Sequence, residues 1–319
     1  GKADDEEEFD APETIAALAD ALAGLGHQVE LLGDGEPMLR KLLGGPRPDL
    51  VLNIAEGQGC SRSREARVPG VLEMLGIPYT GSDPLALAVT LDKDCAKRLV
   101  REAGVATPDW VLVEEGDLDA VRGALARFNW PLIVKPAYEG SSKGIRSASL
   151  VHDQRALEQA VASLADAYRQ PILVEEFIDG DELTVGVVGN RPARVLGVMR
   201  IVPTRPGPFI YGLEVKRDWR RLVRYECPAR LSAADTAAVE RAALAAWRAL
   251  GCRDVARIDF RLKQGTAYFL EANPLPGLSP ESGDLVLMAG QLGMTHRELI
   301  SKILEAAMER QAVEGGCRL

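Results

Sequence analysis

Residues 257–273 read RIDFRLKQGTAYFLEAN, and this stretch decides the fold. Apolar and polar residues alternate on either side of residues 263–266, which predicts a β-hairpin. If its turn centres on Gly265, Asp259 lies opposite Glu271. Arg257 then lies opposite Asn273. Side chains two positions apart share one face of a strand, so these four point the same way. The opposite face is predicted to enter a core and consists of Ile258, Phe260, Leu270 and Ala272.

The polar face of this hairpin carries groups that need a binding partner if they are buried. Two acids, an amide and an arginine on one sheet face are costly to bury without one. Magnesium prefers oxygen ligands and is commonly held by one or two carboxylates together with substrate phosphates. The alternative is a solvated hairpin face with a cross-strand ion pair. The hairpin alone leaves both interpretations open.

Composition limits the class of protein. The chain has 319 residues, enough for two or three lobes with cores of their own. A formal charge of −9 disfavours a nucleic acid or a membrane surface as the main partner. No apolar run approaches the ~18 residues of a membrane span, and no signal peptide is visible. Five scattered cysteines without CxxC spacing favour a reduced, cytoplasmic setting. Three separated histidines argue against a histidine metal site and against Ser-His catalysis.

The order of the predicted elements divides the chain into three lobes. Residues 1–90 predict an open α/β lobe that lacks its first strand, with an acidic solvated start, a helix at 12–25 and buried parallel strands at 28–32 and 49–54. Residues 91–180 predict a central lobe with a helix at 117–128. Residues 181–319 predict a third lobe that contains the hairpin. Within this lobe, residues 203–224 lack clear periodicity and predict a mobile loop.

Three further stretches suggest a site for a nucleotide. The loop EGSSKG, residues 139–144, can fold its backbone N–H groups over an anion, although such a loop alone is weak support. Lys135 ends an apolar strand, where it is either a snorkelling surface residue or a charge that faces a ligand. Lys93 begins a helix, and a cation there suggests a local anion. Residues 173–182, LVEEFIDGDE, read as a strand, a hinge and a second strand that could recognise an adenine edge; an acidic linker is the alternative.

Together, KPAYEGSSKG (135–144), VEEF (174–177), RID (257–259) and LEAN (270–273) resemble the ATP-grasp enzymes, most closely the D-alanine–D-alanine ligase group. IPYTGS (77–82), LDK (91–93) and PG (276–277) extend the resemblance over nearly the whole chain. It implies a three-lobe α/β fold with ATP between the central and C-terminal lobes. It also implies an ADP-forming ligase that activates a carboxylate as an acyl phosphate and couples it to an amine.

The resemblance assigns roles residue by residue. It implies a nucleotide site made of Lys93, Lys135, Glu139, Gly140, Ser142, Glu175, Glu176, Phe177 and Glu182. It implies ligands for magnesium, with manganese as an alternative metal, at Asp259, Glu271 and Asn273, which the hairpin pattern suggests independently. The implied catalytic residues are Arg257, Ser141 and the mobile-loop residue Lys216. Ser282 and Arg217 are implied to lie beside the substrates.

The chain also departs from the family pattern, and the departures concern the substrates. The family's first strand and glycine-rich loop, with a glutamate that orients substrate, have no match. Residues 53–57 and 64–67 differ from the family, and Arg217 stands where the family has a tyrosine. We therefore expect amino-acid or peptide substrates other than two D-alanines, with an extra carboxylate or greater bulk. This expectation counts on positive charge from Arg64, Arg67, Arg220, Arg221 and Arg224. The alternative is that some of these arginines pair with Glu214, Asp218 or Glu226 on the surface, where each pair contributes only ~0–1 kcal/mol.

Three alternatives remain from the sequence. They are a true D-alanine–D-alanine ligase of cell-wall synthesis, a ligase for a non-peptide carboxylate or a different nucleophile, and an ATP-binding protein without catalysis. The predicted partners are a small-molecule carboxylate and amine, with no nucleic acid and no membrane. A homodimer is common in the resembling family.

Overall fold

The structure is a computed structural model, and it describes residues 9–314. The predicted acidic, solvated start (residues 2–8) and Cys317 lie outside the described residues. Within them, the cysteines are unpaired: Cys60, Cys95, Cys227 and Cys252. No helix in this part of the chain is long and apolar enough to cross a membrane.

The N-terminal region is mostly helical, and its predicted strands are wrong. Its helices are α1 (Pro12–Gly24), α2 (Gly35–Gly44), α3 (Arg67–Leu75) and α4 (Pro84–Leu91). Residues 28–32 are not a strand, and Leu31 is 57% exposed. Residues 49–54 contribute a single parallel bridge, Val51 to Tyr79. Apolar runs alone do not make strands, because a strand also needs a neighbour for its backbone groups.

The central region is built on an antiparallel sheet with strand order β1-β4-β2-β3. Its strands are β1 (Trp110–Val113), β2 (Leu132–Pro136), β3 (Leu150–Val151) and β4 (Ile172–Glu176), and its helices are α5 (Lys93–Glu102), α6 (Arg122–Leu125) and α7 (Gln154–Tyr168). The helix predicted at 117–128 is only one short 3₁₀ turn followed by α6. Helix α7 packs Leu157 and Val161 against the sheet to form one core.

The C-terminal region is a five-stranded antiparallel sheet covered on both faces. Its strand order is β7-β6-β5-β8-β9, with β5 (Asp181–Gly189), β6 (Ala193–Pro203), β7 (Val223–Glu226), β8 (Asp254–Lys263) and β9 (Thr266–Asn273). Helix α10 (Ala233–Leu250) covers one face, where Ile258 and Phe260 are buried. Helices α11 (Asp284–Gln291) and α12 (His296–Glu314) pack with α1 on the other face. That face also carries Arg257 and Asp259, because residues of equal parity on β8 share a side.

The hairpin confirms the predicted pairing of Asp259 with Glu271 and of Arg257 with Asn273. Its turn is a two-residue loop, Gln264-Gly265, in which both φ angles are positive (50° and 79°), as a type I′ turn requires. A bulge between Asp259 and Phe260 pairs Phe260 with Phe269, so Leu270 is the extra residue of β9. The prediction that Leu270 enters the core is therefore wrong. Phe269 is fully buried instead, and Leu270 is half-buried.

The segment predicted as a mobile loop has more structure than its sequence suggests. Residues 203–224 contain two short helices, α8 (Leu213–Arg217) and α9 (Trp219–Leu222), before β7 begins. Helices of four or five residues are too short to show a hydrophobic period, which is why periodicity missed them. We call residues 203–222 the lid.

Candidate active site

The polar face of the hairpin is a network of charged side chains. Asp259 accepts hydrogen bonds from Thr184 Oγ1 at 2.6 Å and from Asn273 Nδ2 at 3.2 Å. Arg257 donates to the same carboxylate through Nε and Nη2, each at 3.1 Å. Glu271 lies beside it, with one carboxylate oxygen 3.4 Å from Lys93 Nζ. The structure thus brings the predicted ligand residues together on one face.

The surrounding cations keep Glu271 ionised. Burial opposes its charge, but nearby positive charges, chiefly those of Lys93 and Lys135, lower its pKa to about 2. Asp259 behaves differently: burial and the charge of Glu271 raise its pKa, although Arg257 opposes the rise. Perturbed pKa values of this kind cluster at functional sites of proteins.

This face fits a magnesium ion by its donor chemistry. Two carboxylates and one amide supply oxygen donors, and phosphate oxygens would complete the coordination of a hard cation. Within residues 9–314, no group of three or more His, Cys, Asp or Glu side chains is arranged to hold a metal.

The glycine-rich loop is held in an unusual backbone conformation. Ser141 and Ser142 are consecutive residues with positive φ, 49° and 59°. Each non-glycine residue in this region costs about 1–2 kcal/mol, so the surroundings must compensate. Backbone bonds do so in part, with Lys143 N donating to Gly140 O at 2.9 Å and Ile145 N donating to Ser142 O at 3.0 Å. The bond from Lys143 N to Gly140 O closes a turn with Ser141 and Ser142 at its centre, and both central φ angles are positive, as in a type I′ turn.

The side chain of Glu139 anchors this loop from within the protein. Gln170 Nε2 donates to it at 2.7 Å, and Lys143 Nζ lies 2.7 Å from its other oxygen. The almost fully buried Arg64 donates to Tyr138 O at 2.7 Å and lies 3.5 Å from Glu139. The predicted nucleotide contact of Glu139 is therefore not made by a free carboxylate. Arg64 supports the loop and is not part of a substrate wall, which corrects our expectation for it.

Two of the predicted phosphate lysines lie close to the loop and to the metal face. Lys93 Nζ donates to Glu139 O and faces Glu271. Lys135 Nζ donates to Glu175 at 2.6 Å. The other oxygen of Glu175 lies 2.8 Å from Lys97, a fully buried lysine that the sequence did not single out. Burial lowers the pKa of Lys97 to about 8, although Glu175 opposes this.

The hinge residues face in different directions. The Glu176 side chain accepts from Asn129 N at 2.7 Å and from Asn129 Nδ2 at 3.0 Å, so its carboxylate is engaged within the central region. Glu182 pairs with Arg261. The guanidinium of Arg261 lies 4.8 Å from the centre of the Phe177 ring. Two predicted nucleotide residues, Glu182 and Phe177, therefore both contact Arg261.

The lid rests on the glycine-rich loop mainly through backbone atoms. Ser142 Oγ donates to Tyr211 O at 3.0 Å, and Leu213 N donates to Ile145 O at 2.9 Å. Gly212 lies between these contacts, and a Cβ atom there would stand 2.7 Å from Ile145 O. Close approach of the two segments therefore depends on a glycine at this position.

A cavity of about 390 Å³ lies beneath the lid. The structure brings all five predicted catalytic and substrate residues to its walls, together with two of the three predicted metal ligands: Ser141, Lys216, Arg217, Arg257 and Ser282, and Glu271 and Asn273. Acidic residues from the N-terminal region line it as well: Asp10, Glu56 and Glu65. Burial raises the pKa of Asp10. The cavity therefore has walls of both charges.

The arginine cluster of the lid is mostly engaged elsewhere. Arg221 lies 3.1 Å from Asp218, Arg224 lies 2.7 Å from Glu226, and Arg220 lies 3.8 Å from Glu281. Arg67 donates to Gln58 O at 2.8 Å. The expectation that these arginines add charge to the substrate side is wrong. Arg217 alone of the cluster reaches the cavity, at its exposed rim.

We predict that Gly212→Ala blocks lid closure. The φ of Gly212 is −89°, which any residue adopts, so the effect is purely the contact with Ile145 O. We expect kcat/KM to fall on the order of 10–100-fold. In the presence of ATP and magnesium, trypsin should cleave the lid of Gly212→Ala faster than it cleaves the lid of the wild type. The control is Gly290→Ala, where a Cβ meets nothing within 4 Å. Equal protection of Gly212→Ala and wild type would contradict this closing contact.

Comparison with known proteins agrees with this geometry. A family model described as D-ala D-ala ligase C-terminus matches residues 99–305. A D-alanine–D-alanine ligase of Synechococcus sp. (strain JA-3-3Ab) is 36% identical over 306 residues, which cover 94% of this chain and 90% of that protein. An uncharacterized protein, y4sG, of Sinorhizobium fredii is 35% identical over 311 residues, covering 94% of this chain and 88% of its own.

A solved structure gives the same result for the fold. The crystal structure of a D-alanine–D-alanine ligase from Bacillus anthracis, complexed with ATP, superposes with a TM-score of 0.76 at 25% identity. The match covers 95% of this chain and 93% of that one. The predicted three-lobe α/β ATP-grasp class is confirmed.

Several residues of the site escaped sequence reasoning. The Tyr211 hydroxyl donates to Asp284 at the cavity wall, although the two residues are far apart in sequence. An acid in the first turn of a helix looks like ordinary dipole compensation, so Asp284 gave no separate signal. Arg64 and Lys97 are buried cations, and burial of a single charged residue cannot be seen in a linear pattern.

Proposed function

Because the chain belongs to the D-alanine–D-alanine ligase family, and is an ATP-dependent, ADP-forming amide ligase of that type, we propose that its substrates differ from two D-alanines. The observation that carries this proposal is Arg217, at the rim of the cavity where the family pattern has a tyrosine. Its guanidinium is always charged and presents a donor fork that suits a carboxylate or a phosphate.

The chemistry follows from the charges around the hairpin. The γ-phosphoryl group of ATP passes to a substrate carboxylate oxygen, giving an acyl phosphate and ADP. The amine then attacks the acyl carbon, and phosphate leaves as the amide forms. Lys135, Lys216 and the loop amides neutralise the phosphoryl group in transfer, and Arg257 faces the developing oxyanion. Magnesium held by Asp259, Glu271 and Asn273 would supply further positive charge at the phosphates.

The cavity is lined by side chains of both charges, which favours a zwitterionic substrate. Asp10, Glu56 and Glu65 of the N-terminal region line the cavity, and so do the cations Lys216, Arg217 and Arg257. An amino acid or short peptide could place its ammonium group by the acids and its carboxylate by Arg257. An extra carboxylate on either substrate would reach Arg217 at the rim.

Other parts of the proposal rest on the sequence. They are lobe boundaries near residues 90 and 180, a cytoplasmic enzyme, a homodimer, and no nucleic-acid or membrane partner. The nucleotide roles of Glu175, Phe177 and Glu182 belong to the proposal as well.

ADP release by the purified protein, measured over a panel of amine and carboxylate partners, tests the substrates. We expect kcat/KM for D-alanine alone to be at least 10-fold below that for acidic amino acids or dipeptides, since a lost charge-assisted contact costs about 1.5–3 kcal/mol. Arg217→Tyr should reduce this preference, whereas the paired surface residue Arg221→Tyr should leave it unchanged. Efficient D-alanine dipeptide formation that Arg217→Tyr does not alter would identify a ligase for D-alanine. Absence of ADP release with every partner would favour an ATP-binding protein without catalysis.

A further inference from the structure

Asp284 stands at the centre of contacts that no predicted role explains. It is the first residue of α11 and is 7% exposed. One carboxylate oxygen accepts from Arg257 Nη1 at 3.1 Å, and the other accepts from the Tyr211 hydroxyl at 3.2 Å. Arg257 belongs to the β8 strand and Tyr211 to the lid. A single buried carboxylate therefore joins the arginine at the reacting centre to the lid that covers it.

The donor count of Arg257 shows what Asp284 contributes. A guanidinium has five N–H donors, and three of them are engaged, two by Asp259 and one by Asp284. Two donors remain for a substrate. Asp259 is also a proposed metal ligand, so its oxygens are shared when the nucleotide binds. Asp284 lies outside the proposed metal ligands and can hold the guanidinium throughout.

Tyr211 connects the same carboxylate to the phosphate end of the site. Its backbone carbonyl accepts from Ser142 Oγ of the glycine-rich loop at 3.0 Å. Its hydroxyl also shares a hydrogen bond with the Tyr225 hydroxyl on β7. The Lys216 ammonium lies 5.4 Å from the centre of its ring. Movement of the lid away from the glycine-rich loop therefore removes Tyr211 from Asp284.

We propose that Asp284 is a positioning residue that orients Arg257 and makes this orientation depend on lid closure through Tyr211. The inference rests on the proposed function, because it assigns Arg257 to the acyl centre. When the lid is closed, Asp284 is held by Arg257 on β8, by Tyr211 of the lid and by Tyr225 on β7, and Arg257 presents its remaining donors to the cavity. When the lid opens, Asp284 loses the Tyr211 donor, and the carboxylate that orients Arg257 is held less firmly.

The test compares Asp284→Asn, Tyr211→Phe and the double variant. We expect each single variant to lower kcat on the order of 10–100-fold, as misplacement of a reacting group does, with KM for ATP within about twofold. The double variant should be no worse than the poorer single variant, because both changes interrupt one chain of contacts. The controls are Asp20→Asn, on the exposed side of α1, and Tyr268→Phe, on β9 away from the cavity.

A second measurement does not depend on turnover. In the presence of ATP and magnesium, trypsin should cleave the lid faster in Asp284→Asn and Tyr211→Phe than in the wild type and the controls. The coupling would be overturned if the two changes in kcat were fully additive. It would also be overturned if the lid of both variants resisted trypsin as well as the lid of the wild type does. A loss of unfolding free energy with unchanged kcat would reduce Asp284 to a structural ion pair. If the wild type released no ADP with any partner, the proposed function would fail, and lid protection would still decide the coupling.

Discussion

Glu271→Gln is expected to lower kcat on the order of 10²–10³-fold, the loss typical for one preorganised charge at a reacting centre. Gln keeps the shape of the side chain but removes the negative charge that faces Lys93 and the nucleotide phosphates. We expect the protein to remain folded. The ionised carboxylate stabilises the fold, because its pKa of about 2 lies below the ordinary 4.5. A shift of that size corresponds to roughly 3 kcal/mol, which limits the loss of unfolding free energy.

The pH dependence provides an independent check on this variant. A depressed pKa gives stabilisation that is complete above the unfolded pKa and disappears as pH falls through the folded one. The difference in unfolding free energy between wild type and Glu271→Gln should therefore shrink as pH falls from about 4.5 to about 2. Glu309→Gln, at an exposed position of α12, serves as the control. Near-normal turnover of Glu271→Gln at ordinary magnesium concentrations would refute the metal assignment.

Arg310→Ala is expected to cost about 3–5 kcal/mol of unfolding free energy, the range for breaking a buried ion pair. Arg310 donates to the fully buried Asp254 through Nε at 3.0 Å and Nη2 at 2.8 Å, and to Tyr79 O at 2.9 Å. Asp254 also accepts from Gly81 N at 2.8 Å. These bonds connect α12, β8 and the N-terminal region, so their loss leaves a buried carboxylate with too few donors.

Urea unfolding measures this loss, with Arg241→Ala on the exposed face of α10 as the control. The control should change the unfolding free energy by no more than about 0.5 kcal/mol. Arg310 lies outside the cavity, so the residual activity of the folded fraction should match that of the wild type. A loss below about 1 kcal/mol for Arg310→Ala would show that the remaining donors to Asp254, Gly81 N at 2.8 Å and Asn190 Nδ2 at 2.9 Å, suffice.

The hairpin was predictable because period-two alternation and a Gly-containing turn are local signals. The Leu270 bulge was not, because register depends on how Phe260 and Phe269 pack against α10. The strands expected at 28–32 and 49–54 failed for a related reason. Strand formation requires a neighbour, and the apolar runs there contain no information about one.

The residues of the site also divide into those with a signal in the local sequence and those without one. Lys93, Lys135 and the acid face could be placed because motifs at near-family spacing carry them. The contacts of Arg64 and Asp284 could not, since each depends on a residue distant in sequence. The expectation for Arg221 and Arg224 failed for a local reason: Asp218 lies three residues from Arg221 and Glu226 two residues from Arg224, and these acids bind them.

Closure of the lid on the glycine-rich loop has a consequence for how such a ligase can diversify. The contacts from Leu213 N to Ile145 O and from Ser142 Oγ to Tyr211 O use lid backbone atoms, which every residue type except proline supplies. The side chain of Arg217 takes no part in these two contacts. Mutation can therefore explore new amine and carboxylate partners at the rim while ATP remains shielded from water. An ancestral enzyme could change its substrates one residue at a time without passing through a leaky intermediate that wastes ATP.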